Sequence, residues 1–315
     1  RHRLEVSGPL GDPVEAEFGI VPTRPEPMGI VEMATASGLG LVPEWRRDPR
    51  RTTTRGTGEL IRAAVRAGAR RILVCVGGSA TNDAGAGVAQ ALGIRLLDAD
   101  GRELPPGGEA LQGLARIDVT GIDPAVAACD VLVATDVDNP LTGPLGASAV
   151  YGPQKGASDR DVAMLDRALG HFAAIVHRDL GIDVRHLPGG GAAGGLGAGL
   201  VAFLGAKLRP GVDIVMESVR LPERLAHSDF VISGEGTFDE QSMHGKVPAG
   251  VLRMAEEFRV PAAILCGQRT IQPPGAIVLS LADRYGLEAA LDRPGPLLQE
   301  LSYELAVSTL AGRGA

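Results

Sequence analysis

Four short aliphatic segments alternate with helical patterns along this chain, and each segment stops at a glycine or an aspartate. They cover residues 71–76 (stopping at Gly77), 130–135 (at Asp136), 229–233 (at Gly234) and 262–266 (at Gly267). Such alternation is typical of an α/β protein with a largely parallel sheet. In open sheets of this kind, ligands bind beyond the carboxyl ends of the strands. The four segment ends are therefore the first places to look for a functional site.

Apolar residues recur at helical spacing in three other segments. In the longest, from Ser158 to Arg178, they lie three or four positions apart, which predicts a helix with one buried stripe. Ser158 and Asp161 have the spacing of an N-terminal capping box. The N-terminal region differs, because residues 14–20 alternate with period two, as a half-exposed strand does. The remaining predicted elements are helices at 57–67 and 247–258 and extended chain at 29–36.

Composition and charge limit the classes of partner. The chain has 315 residues, enough for two domains of ordinary size. Its formal net charge is −7 and its Lys and Arg residues are scattered, so no nucleic-acid partner is expected. No apolar run reaches the roughly 18 residues of a membrane span, and the first residues lack the apolar stretch of a signal peptide, so we expect a cytoplasmic protein without a membrane partner. The spacing of Cys75, Cys129 and Cys266 argues against a disulfide framework or a thiolate zinc site.

Small hydroxyls and glycines follow the first predicted strand. Residues 77–87 have the sequence GGSATNDAGAG and open a helix, so backbone N–H groups and the side chains of Ser79, Thr81 and Asn82 would point at a bound ligand. Such a turn suits an anion. The alternative is an ordinary strand-to-helix turn with Asn82 or Asp83 as the helix cap.

The segment richest in glycine is 189–199, GGGAAGGLGAG. Three of its glycines match the GxGxxG pattern, but the preceding residues are polar and end in Pro188, unlike the buried strand before a dinucleotide-binding turn. We expect a loop whose backbone N–H groups hold phosphate, and the alternative is close packing of a helix. The glycines assigned to phosphate binding are Gly189, Gly190, Gly191, Gly194 and Gly195.

Two carboxylates follow the second predicted strand, and alternation turns Asp136 and Asp138 to the same side. Two oxygen donors there could hold Mg²⁺, or one could accept a proton from a substrate hydroxyl. The alternative is an Asx turn before Pro140. Downstream, Lys155 lies in the Gly/Pro-containing segment 151–156 and is predicted to be a movable cation.

A second acidic strand end contains Glu235, Asp239 and Gln241. Its carboxylates would repel one another unless a cation or a substrate hydroxyl satisfies some of them, and a solvated turn is the alternative. Arg55 follows three threonines before a predicted helix, where it is suited to binding a carboxylate or phosphate. Anion cradles, paired carboxylates and isolated cations are what phosphoryl transfer needs, because the protein's part in that reaction is mainly positioning and charge stabilisation.

Six motifs also occur in a characteristic order. They are 52–54 with 56–59, 77–87, 136–141, 152–156, 189–199, and 234–236 with Asp239 and 241–242. In this order they resemble the bacterial type I glycerate kinase family, which is glycerate 2-kinase-like. The resemblance implies ATP-dependent phosphorylation of D-glycerate with Mg²⁺, on the 2-hydroxyl to give 2-phosphoglycerate, although some members are described as 3-kinases. A homodimer is a possible assembly.

The same resemblance implies two α/β domains, one inserted into the other, with the active-site cleft between them. We expect residues 1–225 to form the inserted α/β domain and residues 226–315 to form the remnant of a Rossmann-like domain with a parallel sheet. Family members ordinarily begin with about 65 further residues that supply strands of that domain. We expect those N-terminal strands to be absent from this chain.

The glycerate kinase hypothesis assigns roles to these residues. Asp136 and Asp239 are the first candidates for metal binding or for the general base, and Asp138 and Glu235 are the second. Two cations, Lys155 and Arg55, neutralise the substrate carboxylate or the transferred phosphoryl group. The set that binds substrate or phosphate is Ser79, Thr81, Asn82, Asp83, the five glycines above, Glu235 and Gln241. The alternatives are a truncated, non-catalytic nucleotide- or anion-binding member of the fold and an NAD-dependent oxidoreductase, the latter carried by the GxGxxG match.

Overall fold

The computed structural model describes residues 1–23, 26–243 and 247–311, the last three without their side chains. The chain forms two compact units, Arg1–Gly211 and Val212–Ala315. Both units contain parallel strands and helices, so the predicted α/β class with a parallel sheet is confirmed. The boundary at residue 211 precedes the predicted one at residue 225, and the insertion of one domain into the other stays a prediction.

The first unit contains a six-stranded sheet with the strand order β1-β2-β3-β4-β7-β8. The pairs β1/β2 and β2/β3 are antiparallel, and the pairs β3/β4, β4/β7 and β7/β8 are parallel. The central strands are aliphatic because a parallel sheet is buried on both faces. The strands are β1 (His2–Ser7), β2 (Pro13–Val21), β3 (Met28–Glu32), β4 (Arg71–Cys75), the separate pair β5 (Arg95–Leu97) and β6 (Arg116–Asp118), β7 (Asp130–Ala134) and β8 (Lys207–Arg209).

Helices of the first unit cover the sheet and build a second apolar cluster beside it. In α6, Leu165, Leu169, Phe172 and Val176 are all fully buried, as the stripe predicts. Both hydrogen bonds of the capping box between Ser158 and Asp161 are present. The helices are α1 (Ala34–Ser37), α2 (Arg55–Arg66), α3 (Ala86–Ala91), α4 (Pro124–Ala127), α5 (Ala147–Tyr151), α6 (Asp159–Leu180) and α7 (Ala192–Leu204).

The second unit contains a three-stranded parallel sheet with the order β11-β10-β9. Its strands are β9 (Val231–Phe238), β10 (Ala262–Arg269) and β11 (Ile277–Ser280). Its helices are α8, which begins at the last residue of the first unit (Gly211–Ser218), α9 (Leu221–Leu225), α10 (Val247–Glu257), α11 (Leu281–Tyr285), α12 (Leu287–Asp292) and α13 (Pro294–Ala311). None of the helices in the described part of the chain combines the length and the hydropathy that a membrane crossing needs.

Three predicted element ends are wrong. The third predicted strand does not stop at Gly234, because β9 stays paired with β10 through Gly234 and on to Phe238. The fourth likewise continues past Gly267 to Arg269. Ladder hydrogen bonds to a neighbouring strand outweigh the low strand propensity of glycine. The predicted extended chain at 29–36 is a strand only to Glu32, after which α1 begins.

Candidate active site

A cavity of about 340 Å³ lies at the carboxyl ends of β4 and β7. These strands are parallel neighbours, with Cys75 opposite Ala134, so the loops that follow them leave from the same edge of the sheet. We call this the strand-end cavity. It is lined by Leu39, Val76, Gly77, Gly78, Ser79, Ala134, Thr135, Asp136, Val137, Tyr151, Gln154, Lys155, Ala192 and Ala193.

Lys155 ends a short 3-10 turn, Pro153–Lys155, and is only 2% exposed. Its Nζ donates hydrogen bonds of 2.7 Å to the Ser79 Oγ and of 2.7 Å to the Thr81 carbonyl oxygen. Burial lowers the pKa of Lys155 to about 7, and the negative charge of Asp83 partly opposes this shift. The prediction of a movable cation is wrong, because packing and two hydrogen bonds fix the side chain. Lys155 is instead a buried amine held at the cavity wall.

Asp136 is exposed and lines the same cavity. Its Oδ1 accepts a hydrogen bond of 2.8 Å from the backbone N–H of Gly211, just after β8. The other oxygen, Oδ2, makes no hydrogen bond with the described residues. Asp138 is also exposed but does not line the cavity. Of the two predicted carboxylates, the structure therefore brings only Asp136 together with Ser79 and Lys155.

The turn after β4 has a part that lines the cavity and a part that does not. Ser79 lines the cavity, whereas Thr81, Asn82 and Asp83 are fully buried and do not. The Asp83 carboxylate accepts four hydrogen bonds, from the backbone N–H and hydroxyl of Thr54 and from the backbone N–H groups that open α3. Burial raises the pKa of Asp83, and these hydrogen bonds lower it. Asp83 thus organises the turn, although the N-cap residue of α3 is Gly85 and not Asn82 or Asp83 as the alternative expects.

Two buried polar atoms in this turn have no hydrogen-bond partner in the described part of the chain. They are the Thr81 Oγ1 and the Asn82 Oδ1. The amide nitrogen of Asn82 donates to the Ser148 hydroxyl at 3.0 Å. Buried polar groups are usually paired, so both atoms are candidate ligand contacts: the Thr81 hydroxyl can donate a hydrogen bond, whereas the Asn82 Oδ1 can only accept one.

In the glycine-rich segment, residues 189–191 form a turn before α7, and left-handed backbone angles at Ala193, Gly194 and Gly195 interrupt the start of that helix, so the predicted loop is present in part. A Cβ on Gly194 would overlap the Thr81 carbonyl oxygen, and one on Gly191 would overlap that of Pro140. Glycine at these positions lets three loops approach one another, which is the close-packing alternative. Gly189, Gly190, Gly191, Gly194 and Gly195 are all buried outside the cavity lining, where the neighbouring Ala192 and Ala193 lie. The segment before Gly189 is not a strand, so the dinucleotide-binding fingerprint is absent.

Three of the remaining predicted residues belong to the second unit, and Arg55 belongs to the first. Asp239 closes a turn, because its Oδ1 accepts from the backbone N–H of Ser242 at 3.0 Å. Glu235 lies within β9 and Gln241 is exposed, and both belong to the second unit with Asp239. Arg55 begins α2, where its Nε lies 3.3 Å from the Glu59 carboxylate. It is not among the residues that line the strand-end cavity.

Side chains that could ligate a metal ion are not clustered in the described part of the chain. Within the described residues, no group of three or more His, Cys, Asp or Glu side chains could hold a metal ion. Mg²⁺ in phosphoryl-transfer enzymes usually takes only one or two protein carboxylates together with waters and substrate phosphates. The exposed Asp136 carboxylate, with one oxygen unengaged among described residues, fits that limited role.

Sequence reasoning missed the pairing of Ser79 with Lys155 and of Tyr151 with Asn139. The Tyr151 hydroxyl donates to the Asn139 Oδ1 at 2.7 Å and so joins α5 to the loop after β7. Tyr151 lies in segment 151–156 and Asn139 in segment 136–141, but no local pattern predicts a contact between two such segments. A carboxylate, an amine and a hydroxyl at the carboxyl edge of a parallel sheet place the protein in the class of α/β proteins with a ligand site at the strand ends, and these groups suit phosphoryl transfer.

Comparison with known proteins identifies the family. The glycerate kinase family matches residues 1–306 of the chain. A glycerate kinase of Halalkalibacterium halodurans is 45% identical over 314 residues, which cover 98% of this chain and 82% of the relative. The glycerate 2-kinase of Escherichia coli K12 is 49% identical, with coverage of 84% and 69%. The chain therefore belongs to the glycerate kinase family, and it is an enzyme with kinase activity.

A solved structure agrees with this assignment. It is described as a glycerate kinase 2 from Salmonella typhimurium LT2 and matches with a TM-score of 0.83 at 45% identity. The match covers 100% of this chain and 83% of that chain. The family predicted from the six ordered motifs is confirmed, and the alternative of an NAD-dependent oxidoreductase is set aside.

Proposed function

We propose that the protein transfers a phosphoryl group from ATP to the 2-hydroxyl of D-glycerate and so forms 2-phosphoglycerate. The observation that carries this proposal is the strand-end cavity, where Asp136, Ser79 and Lys155 meet. The choice of the 2-hydroxyl is supported by the E. coli relative, which is named glycerate 2-kinase.

The size and charge of the cavity suit a small organic acid. Its volume of about 340 Å³ is near the low end of the roughly 300–1,000 Å³ found for ligand pockets. The Lys155 ammonium group would compensate the substrate carboxylate or the charge that develops on the transferred phosphoryl group. An anion bound there favours the charged form of the amine, so binding would raise the pKa of Lys155 above 7.

Asp136 is the general-base candidate in the cavity. As the phosphoryl group adds to the substrate oxygen, the hydroxyl proton must leave, and the unengaged Oδ2 can accept it. Mg²⁺, when bound, would neutralise charge on the phosphates. Asp136 is the first candidate to hold it, with Asp138, Asp239 and Glu235 as further candidates. The same hypothesis includes two further proposals. Phosphate is bound by the glycine-rich backbone, Thr81, Asn82 and Gln241, and charge is compensated by Arg55.

Replacing Asp136 tests the proposal. We expect Asp136→Asn to lower the turnover measured by coupled ADP release with D-glycerate by about 10²–10⁴-fold, because the amide cannot take up the proton. Asp130→Asn, a carboxylate at the opposite end of β7 that pairs with exposed cations, is the matched control. Phosphorus NMR of the product separates 2-phosphoglycerate from 3-phosphoglycerate. An Asp136→Asn protein that keeps its turnover would remove Asp136 from the mechanism, and 3-phosphoglycerate as the product would refute the regiochemistry.

A further inference from the structure

A second concavity, of about 370 Å³, shares no residue with the strand-end cavity. It contains four arginines and one aspartate, although the whole chain has a formal net charge of −7. We call it the arginine groove. It is lined by Leu10, Trp45, Arg46, Arg47, Asp48, Arg50, Arg51 and Gly156.

The only tryptophan of the chain lies at this groove. Trp45 is 85% exposed, and the Arg46 guanidinium carbon lies 5.9 Å from the centre of its ring. Large aromatic side chains are usually buried or placed at binding surfaces, because exposing them to water is unfavourable. The indole therefore offers a free flat surface on which another aromatic ring could stack.

The positive charge of the groove is only partly compensated. The Arg50 guanidinium makes hydrogen bonds of 2.7 Å to each Asp48 carboxylate oxygen and also lies 3.4 Å from Asp161. Arg46 lies 3.4 Å from Asp12. These two arginines are therefore largely paired within the protein.

Arg47 and Arg51 carry the excess charge. Arg51 is 3.7 Å from a carboxylate that already holds Arg50, and its side chain is 77% exposed. Arg47 makes no ion pair with any residue that the structure describes, and its Nε is buried without a hydrogen-bond partner there. Arg47 therefore brings to the groove a positive charge that no carboxylate among the described residues neutralises, and an anionic ligand would neutralise it.

We propose that the arginine groove binds a nucleoside phosphate, with the base stacked on Trp45 and the phosphate held by Arg47 and Arg51. Phosphate alone would not use the indole, and a base alone would not use the guanidinium groups, so the groove suits a ligand with both parts. Gly156 joins the groove to the turn that carries Lys155, since a Cβ on Gly156 would come within 2.5 Å of the Arg47 carbonyl oxygen. The inference concerns binding only and does not depend on the proposed reaction.

The fluorescence of the single tryptophan reports on this groove directly. We expect titration with ADP, in EDTA so that no turnover occurs, to change the emission saturably. Adenosine and inorganic phosphate, tested separately, should each bind at least about tenfold more weakly, because each lacks half of the contacts. The titration contains no glycerate and measures no turnover, so its outcome is independent of the turnover test of the proposed function.

Variants of the groove arginines test whether ADP binds at the arginine groove. Arg47→Met and Arg51→Met should each weaken ADP binding by about tenfold or more, whereas Arg102→Met, an exposed arginine outside the groove, should not. Arg51 is exposed and weakly paired, so its variant remains informative if Arg47→Met fails to fold. The inference is overturned if ADP gives no saturable change, if phosphate binds as tightly as ADP, or if neither groove variant alters binding.

Discussion

Lys155 is a basic residue with an almost fully buried side chain. Among the described residues, the hydrogen-bond partners of its ammonium group are a hydroxyl and a carbonyl, and burial lowers its pKa to about 7. Because an anionic substrate would compensate this charge, Lys155→Met should lower kcat/KM for glycerate by about 10²–10³-fold. Lys207→Met, which removes an exposed lysine on β8, serves as the control. Equal activity of the two variants would contradict a role for the buried amine.

The same residue makes stability depend on pH. The pKa of Lys155 is about 7 in the folded protein and about 10.5 in the unfolded chain, so between these values the unfolded chain binds more protons. The free energy of unfolding should therefore rise with pH across this window, and the full cost of burying the charge is present only below pH 7. Urea titrations at a series of pH values check this, with Lys155→Met as the reference. A slope that persists in the variant would assign the effect to another group.

At the scale of elements, the glycine-rich start of α7 explains why the loops of the site lie so close together. Gly194 has a φ of +70° and contacts the Thr81 carbonyl, which in turn accepts a hydrogen bond from Lys155. Gly205, at the end of the same helix, also has a positive φ, of +61°, but has open space where a Cβ would lie. Alanine variants of these two glycines therefore distinguish the free-energy cost of a left-handed backbone from the cost of close packing.

We expect Gly205→Ala to lose only about 1–2 kcal/mol of unfolding free energy, from the left-handed conformation alone. Gly194→Ala should lose at least about 3 kcal/mol, because overlap with the Thr81 carbonyl adds to that cost. The Gly194 variant should also lose kinase activity, since the carbonyl that holds Lys155 must move. Thermal and urea unfolding of the two variants provide the comparison. Equal losses would show that close packing does not govern this position.

At the scale of the whole molecule, the scarcity of clustered metal ligands indicates that a divalent ion serves the reaction and not the stability of the fold. No group of three or more ligating side chains exists among the described residues, so we expect no metal to contribute to folding. Removing divalent ions with EDTA should abolish turnover and leave the thermal midpoint within about 2 °C in the absence of nucleotide. Adding Mg²⁺ back should restore turnover. A large loss of thermal stability on chelation would instead reveal a structural metal.

The sequence predicted the elements better than their ends. Helix α6 and its cap followed from local spacing, because side-chain periodicity and capping act within a few residues. The continuation of β9 through Gly234 did not follow from local spacing. Glycine disfavours a strand, and pairing with β10 stabilises the extended backbone there. Strand order, register and the left-handed start of α7 depend on neighbours distant in the chain.

By itself, the sequence determined the α/β class, the acidic residues that follow β7, the glycine-rich segments and the family. These follow from periodicity and from the order of motifs, which are properties of the chain read along its length. Only the tertiary structure decided that Asp136, Ser79 and Lys155 share a cavity while Asp138 and Arg55 do not line it. It also decided that Lys155 is buried and that Gly191 and Gly194 lie against carbonyl oxygens that a Cβ would overlap. Contact and desolvation arise between segments many residues apart, and no local pattern encodes them.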